Sequence, residues 1–151
     1  MNQNKNYMPW ELLIKAFMLD LPNRMRRMEI AQMSDKPLMA LREFRVLTMG
    51  GLRQSGKTQT AFQVVRENIQ SRLIGTRCGG FPSLPQNDEV LRSRLLEEHQ
   101  LDQMHLAGVK LLVIDHDGRR DPNDDPYAEL EKVYSEHSEW FDPDFSVIRI
   151  L

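Results

Sequence analysis

The chain carries a single cysteine, Cys78, which excludes an internal disulfide, and its four histidines, His99, His105, His116 and His137, fall at no zinc-binding spacing. A structural metal is therefore not expected. Long apolar runs are missing as well: none approaches the roughly 18 residues of a membrane-spanning helix, so no membrane partner is expected. Residues 1–7 lack the charged start and apolar stretch of a secretory signal, and the reading is a cytoplasmic protein. Neither disorder nor a repeat architecture fits, because 28% of the residues are charged, 40% are apolar and no internal period occurs. At 151 residues the chain is long enough for one domain with a real core and too short for two ordinary ones.

Excess charge is also scarce, with a net of −2, yet its distribution is uneven. Residues 111–151 hold 11 acidic and 4 basic side chains, whereas residues 1–110 hold 11 acidic and 16 basic. Arg24, Arg26 and Arg27 form the densest basic cluster, a candidate contact for nucleic acid. The alternative is a solvated helix face whose arginines pair with neighbouring carboxylates. The cluster is short and poor in aromatics, which favours this second reading.

What is present is more specific. Residues 51–58 read Gly51-Leu52-Arg53-Gln54-Ser55-Gly56-Lys57-Thr58, a full match to the pattern G-x-x-x-x-G-K-[ST]. In such a loop the glycines let backbone N–H groups curl round a polyphosphate. The lysine brings a mobile positive charge to the terminal phosphates, and the threonine hydroxyl can ligate Mg²⁺. Gly51, Gln54, Ser55, Gly56, Lys57, Thr58 and Gln59 are accordingly the candidate nucleotide-binding residues. Residues 44–49 form a mostly apolar run that suits a buried parallel strand. Residues 57–73 contain no Gly or Pro and place Ala61, Phe62, Val65, Ile69 and Leu73 at helical spacing. A strand, a glycine loop and a helix N-terminus in that order favour an anion at the helix start.

A second element follows 57 residues after Thr58. The run Val109-Lys110-Leu111-Leu112-Val113-Ile114-Asp115 predicts an apolar strand closing on a carboxylate, the shape of a Walker B element. It would deliver Asp115 to the sheet edge beside Thr58, where the pair can orient Mg²⁺. The remaining pattern predicts a helix over residues 10–21, with Trp10, Leu13, Ile14, Phe17, Met18 and Leu21 inward and Pro22 as its stop. Another is predicted over 24–33, with Met25, Met28, Ile30 and Met33 inward. Five of the nine methionines lie between residues 18 and 39 and read as adaptable core. Further on, the pattern predicts a strand over 73–78, a helix from the cap Asn87 to near Gly108, a helix over 127–140 and a last strand over 145–151.

Residues 50–58 and 111–115 together resemble the P-loop NTPase superfamily. Within it, Leu52-Arg53-Gln54-Ser55-Gly56-Lys57-Thr58 looks like the phosphate loop of the large-terminase ATPases that package DNA in tailed phages and of related helicase-like motors, where an Arg-Gln pair often precedes the Gly-Lys-Thr. The resemblance implies an α/β, three-layer fold: a short, mainly parallel sheet of about four strands, residues 44–151 as the nucleotide-binding core and residues 1–43 as a helical extension packed on it. It implies ATP as the nucleotide, with GTP left open, Mg²⁺ as cofactor, and hydrolysis coupled to DNA or RNA handling. Lys57 would be the phosphate ligand, Arg53 a cis arginine reaching toward the γ phosphate, and Thr58 and Asp115 the magnesium ligands. The same class places the last strand between the phosphate-loop strand and the Asp115 strand. The phosphate-loop strand would then be an edge, covered by the N-terminal helices or a second subunit.

Two departures bear on activity. Such motors follow the Walker B aspartate with a glutamate that polarises the attacking water, whereas His116 stands here. Asp117, the nearest candidate catalytic carboxylate, would point the other way if the strand continued. The pattern also predicts one strand fewer than the usual five, and no nuclease domain is expected. Other functions therefore stay open at this point. A small-molecule or nucleoside kinase would use the same loop, with Arg119-Arg120 as acceptor lid. A GTPase-like switch fits the D-x-x-G of residues 115–118 and Thr76 but lacks an N-K-x-D segment to read guanine. A reduced P-loop protein that binds without turnover accounts for the missing glutamate. An Arg119 or Arg120 finger acting in a neighbour's site would imply a homo-oligomer or larger complex.

Overall fold

The computed structural model describes residues 10–50, 56–75, 88–116 and 125–151. Among them, in chain order, the helices are α1 (Trp10–Leu19), α2 (Leu21–Ile30), α3 (Pro37–Ala40), α4 (Lys57–Glu67), α5 (Glu89–Ser93), α6 (Gln103–Leu106) and α7 (Pro126–Glu136). The strands are β1 (Val46–Met49), β2 (Ser71–Gly75), β3 (Leu95–Leu96), β4 (Leu111–Asp115) and β5 (Ser146–Ile150). They form one α/β sheet in the order β1-β5-β4-β2-β3, and every described pairing is parallel. β4 and β5 are central, which is why β4 is apolar up to Asp115 and β5 buries Val147, Ile148 and Ile150: a parallel strand is covered on both faces.

Strand alternation divides the core in two. On one face Leu73, Leu111, Val113, Ile148 and Ile150 pack with Met49 against Trp10 and Ile14 of α1, Ala61, Phe62 and Val65 of α4 and Leu91 of α5. On the other, Ile74, Leu112, Ile114 and Val147 meet Leu106 of α6 and Tyr127, Leu130 and Tyr134 of α7, together with Leu41, Phe141 and Phe145. Of the face expected on the first helix, Trp10 and Ile14 are buried, Phe17 and Met18 half-buried, and Leu13 exposed. Met25, Met28 and Met33 are half-buried as adaptable packing, whereas Ile30 is exposed.

Several boundaries differ from the sequence expectation, each for a local reason. Pro22 does not end a helix but sits in the first turn of α2, where its missing N–H leaves no bond unmade. α4 stops at Glu67 instead of running to residue 73. Asn68 Nδ2 donates to Val64 O, Ser71 Oγ to Val65 O, and the Arg94 guanidinium to the carbonyls of Val65, Arg66 and Asn68. With its last carbonyls satisfied, the chain turns and Leu73 is buried in β2 instead. The long helix expected from residue 87 to 108 is three short helical pieces with a fifth strand between them. Asp88 caps α5 by accepting from Leu91 N, Glu97 and Gln100 form a reciprocal capping box, and Asp102 caps α6. Leu95 and Leu96 pair with Leu73 and Ile74 as β3.

β5 lies between β1 and β4, so β1 is the sheet edge, as the motor-like order implies. Its cover is partial: α1 packs beside α4 and reaches Met49, Val46 and Leu47 are half-buried, and Thr48 is exposed. The lower end of β1 is fastened by Arg24. Its guanidinium, 5% exposed, lies 3.8 Å from the centroid of the Phe17 ring and donates to Phe44 O at 2.6 Å, Phe17 O at 2.9 Å and, more weakly, Ser146 Oγ at 3.4 Å. One side chain thus ties α1, α2, the π-helical turn Leu41–Arg45 and the start of β5. Arg24→Ala leaves two carbonyls unsatisfied and is expected to cost about 3 kcal/mol. Arg24→Lys should recover only part of it, since one ammonium cannot span both acceptors. Urea midpoints of the three proteins check this.

Candidate functional site

Met49, Ile150, Asp115 and Gly75 lie level with one another across β1, β5, β4 and β2, so the strand ends meet at one rim. Gly56 enters α4 there with φ of 86°, a left-handed conformation that strains any side-chain-bearing residue. It is the N-cap of α4 and provides no side-chain acceptor for the first turn. Lys57, Thr58 and Gln59 follow at once, and their backbone lies where a helix N-terminus attracts an anion. The Gln59 side chain is exposed.

Thr58 and Asp115, separated by 57 positions, are brought into contact: Thr58 Oγ1 donates to Asp115 Oδ2 at 3.0 Å. Asp115 is only 2% exposed, because β4 is buried along its whole length and ends on it. Lys57 is 8% exposed, and its Nζ donates to the main-chain oxygen of Leu151 at 3.0 Å. That residue is placed by the sheet itself: Leu151 N donates to Met49 O, and His116 N donates to Ile150 O. The buried His116 therefore occupies the position after Asp115 with its backbone tied to β5. Gly51, Arg53, Gln54, Ser55 and Asp117 lie outside the described residues, as do Thr76, Asn87, Arg119 and Arg120.

The donor set suits a hard divalent cation. A hydroxyl and a carboxylate 3.0 Å apart offer two oxygens. Among the described residues no cluster of three or more His, Cys, Asp or Glu could hold a metal unaided. Few protein ligands is the arrangement expected for Mg²⁺, which keeps several waters and takes its other oxygens from substrate phosphates.

The basic trio is divided by the fold. Arg24 is buried under α1 as described above, Arg27 pairs with Asp20 at 3.0 Å, and Arg26 is exposed. Arg24 is thus removed from any nucleic-acid surface, because its guanidinium is consumed by backbone carbonyls. Sequence reasoning also missed two partners of Lys57. Leu151 contributes only a backbone carbonyl, which no motif records. Trp10 was read as core, and its ring centroid lies 5.9 Å from Lys57 Nζ.

On the opposite face, a polar chain fixes α7. The Arg149 guanidinium lies 3.8 Å from the centroid of the Tyr127 ring, in the first turn of α7. Tyr127 shares a hydrogen bond with Glu131, which takes two bonds from Arg42 at 2.7 and 3.0 Å. Burial, then the Glu131 carboxylate, push the Tyr127 hydroxyl up to about 12. The folded protein therefore holds this proton more tightly than the unfolded chain. The resulting stability is full below pH ~10 and is lost as pH rises through ~12, up to about 3 kcal/mol. Tyr127→Phe should flatten the fall in urea midpoint over that window.

A cavity of about 810 Å³ lined by Met28, Met33, Arg45, Tyr134, Phe141 and Asp142 opens at the other end of the sheet, away from the Thr58–Asp115 contact. Among the described residues no helix is long and apolar enough to cross a membrane. Comparison with protein-family models, curated proteins and solved structures found no match.

Proposed function

We propose that the chain binds a magnesium–nucleoside triphosphate, ATP in the first instance, and hydrolyses it, as a P-loop NTPase of three-layer α/β build. One observation carries the reading: the hydroxyl of the G-x-x-x-x-G-K-T threonine stands 3.0 Å from the carboxylate that closes a buried central strand. A glycine-rich turn that happened to contain lysine has no reason to meet that particular aspartate. The placement of β5 between β1 and β4 supports the same reading.

In this reading the first turn of α4 holds the β and γ phosphates with its N–H groups, and Lys57 leaves the Leu151 carbonyl to meet them. Thr58 and Asp115 would hold Mg²⁺, which when bound would neutralise charge on the phosphate oxygens. Asp117 is the candidate carboxylate for the attacking water and Arg53 the candidate cis arginine. Coupling to DNA or RNA would draw on Arg26 and Arg27, the exposed remainder of the basic cluster.

The test is phosphate release from Mg-ATP and Mg-GTP, with and without DNA. Turnover of ATP that rises with DNA supports a motor-like hydrolase. A second reading, nucleotide binding without turnover, has His116 in its favour, since a histidine stands where the water-polarising glutamate of such motors is found. Tight binding with no phosphate released would select it; no binding of either nucleotide would sink both.

A further inference from the structure

We infer that Trp10 is a positioning residue for Lys57, so that the first turn of α1 belongs to the phosphate site; the inference rests on the nucleotide reading above. The indole is buried at the start of α1, with Ile14 one turn on, in the apolar cluster that contains Met49 at the tip of β1 and Ala61 and Phe62 of α4. Lys57 Nζ lies 5.9 Å from its ring centroid, at the outer limit of attraction between an ammonium and a ring face. The lysine is therefore held from two sides, by a carbonyl that bonds its head and by a ring beside it.

These two contacts differ in what happens when a phosphate arrives. The Leu151 carbonyl competes for the same N–H donors and must be given up. The ring accepts no such bond, so it can keep walling the lysine while the head turns. A lysine so confined has less rotamer freedom to lose on engaging phosphate, and its charge acts with little water around it. Because the ring acts through Lys57 and not on the substrate, the expected signature is weaker phosphate binding that an aromatic replacement restores.

The probe is inorganic tripolyphosphate with Mg²⁺, which tests phosphate binding without a base. The chain has two tryptophans, so Trp140→Phe leaves Trp10 as the only indole emitter. Tripolyphosphate is expected to change its emission saturably, and Lys57→Ala in the same background should abolish that change. By calorimetry, Trp10→Ala should bind about tenfold more weakly, near 1.4 kcal/mol, and Trp10→Phe within about twofold of wild type. Trp10→Leu fills most of the volume without a ring face. It should be as weak as Trp10→Ala, and it decides the matter if the alanine variant does not fold. Binding by folded Trp10→Leu as tight as wild type overturns the inference and leaves the nucleotide reading intact. Wild-type protein that binds neither tripolyphosphate nor Mg-ATP brings down that reading, and the inference with it.

Discussion

Lys57→Ala is expected to weaken Mg-ATP binding by at least about a hundredfold, near 3 kcal/mol, and to leave no measurable turnover. The size follows from where the ammonium sits. It is 8% exposed, on the residue after the left-handed Gly56, at the N-terminus of an 11-residue helix. A charge so placed meets a polyphosphate with little screening, so its loss is not made good by water. Lys57→Arg should fail almost as badly, because a planar, wider head replaces a compact ammonium that sits beside Leu151 and Trp10. Neither change should lower the unfolding free energy by more than about 1 kcal/mol, since the bond to Leu151 lies at the sheet rim. Calorimetric binding beside a denaturation curve separates the two quantities. If Lys57→Ala bound Mg-ATP like the wild type, the phosphate-loop reading of residues 51–58 would be wrong.

The parts of this fold that could be read in advance are those where one strong local pattern coincides with burial. β4 and β5 announce themselves because a central parallel strand must be apolar on both faces. The start of α4 does so because a glycine before a run of helical spacing suits a left-handed entry, which Gly56 takes with φ of 86°. The stretch from Asp88 to Leu106 could not be read this way. Its leucines keep a helix-like spacing, yet Asp88, Glu97 with Gln100, and Asp102 each satisfy backbone donors locally and restart the chain. The pairing of Leu95 and Leu96 with β2 is a long-range gain that no window of sequence contains. The premature end of α4 has the same origin, since the guanidinium that takes up its last carbonyls belongs to Arg94, beyond the next strand. For the candidate site, the pairing of Thr58 with Asp115 was legible from type and spacing. Arg24 was misread because a buried arginine that serves backbone carbonyls has the same sequence signature as a surface one.

Asp115→Asn is expected to lower kcat by about a thousandfold, near 4 kcal/mol, while the fold becomes no less stable. The two halves of that statement come from one geometry. Asparagine keeps the shape, and its Oδ1 can still accept from Thr58 Oγ1, so the contact at 3.0 Å survives. What disappears is a formal charge on a residue 2% exposed, and burying a charge opposes folding unless it is fully compensated. On the nucleotide reading, a carboxylate kept at the end of an otherwise apolar strand would give up stability for chemistry. The Mg²⁺ concentration needed for half-maximal nucleotide affinity should rise about tenfold or more in Asp115→Asn. Thr58→Ala should shift it in the same direction by less, because water can replace a hydroxyl but not a carboxylate. Titrating Mg²⁺ at fixed ATP, with urea midpoints on the same samples, checks both halves. An Asp115→Asn protein that is destabilised yet fully active would make Asp115 a structural partner of α4, and the contact that carries the nucleotide reading would then be a packing device alone.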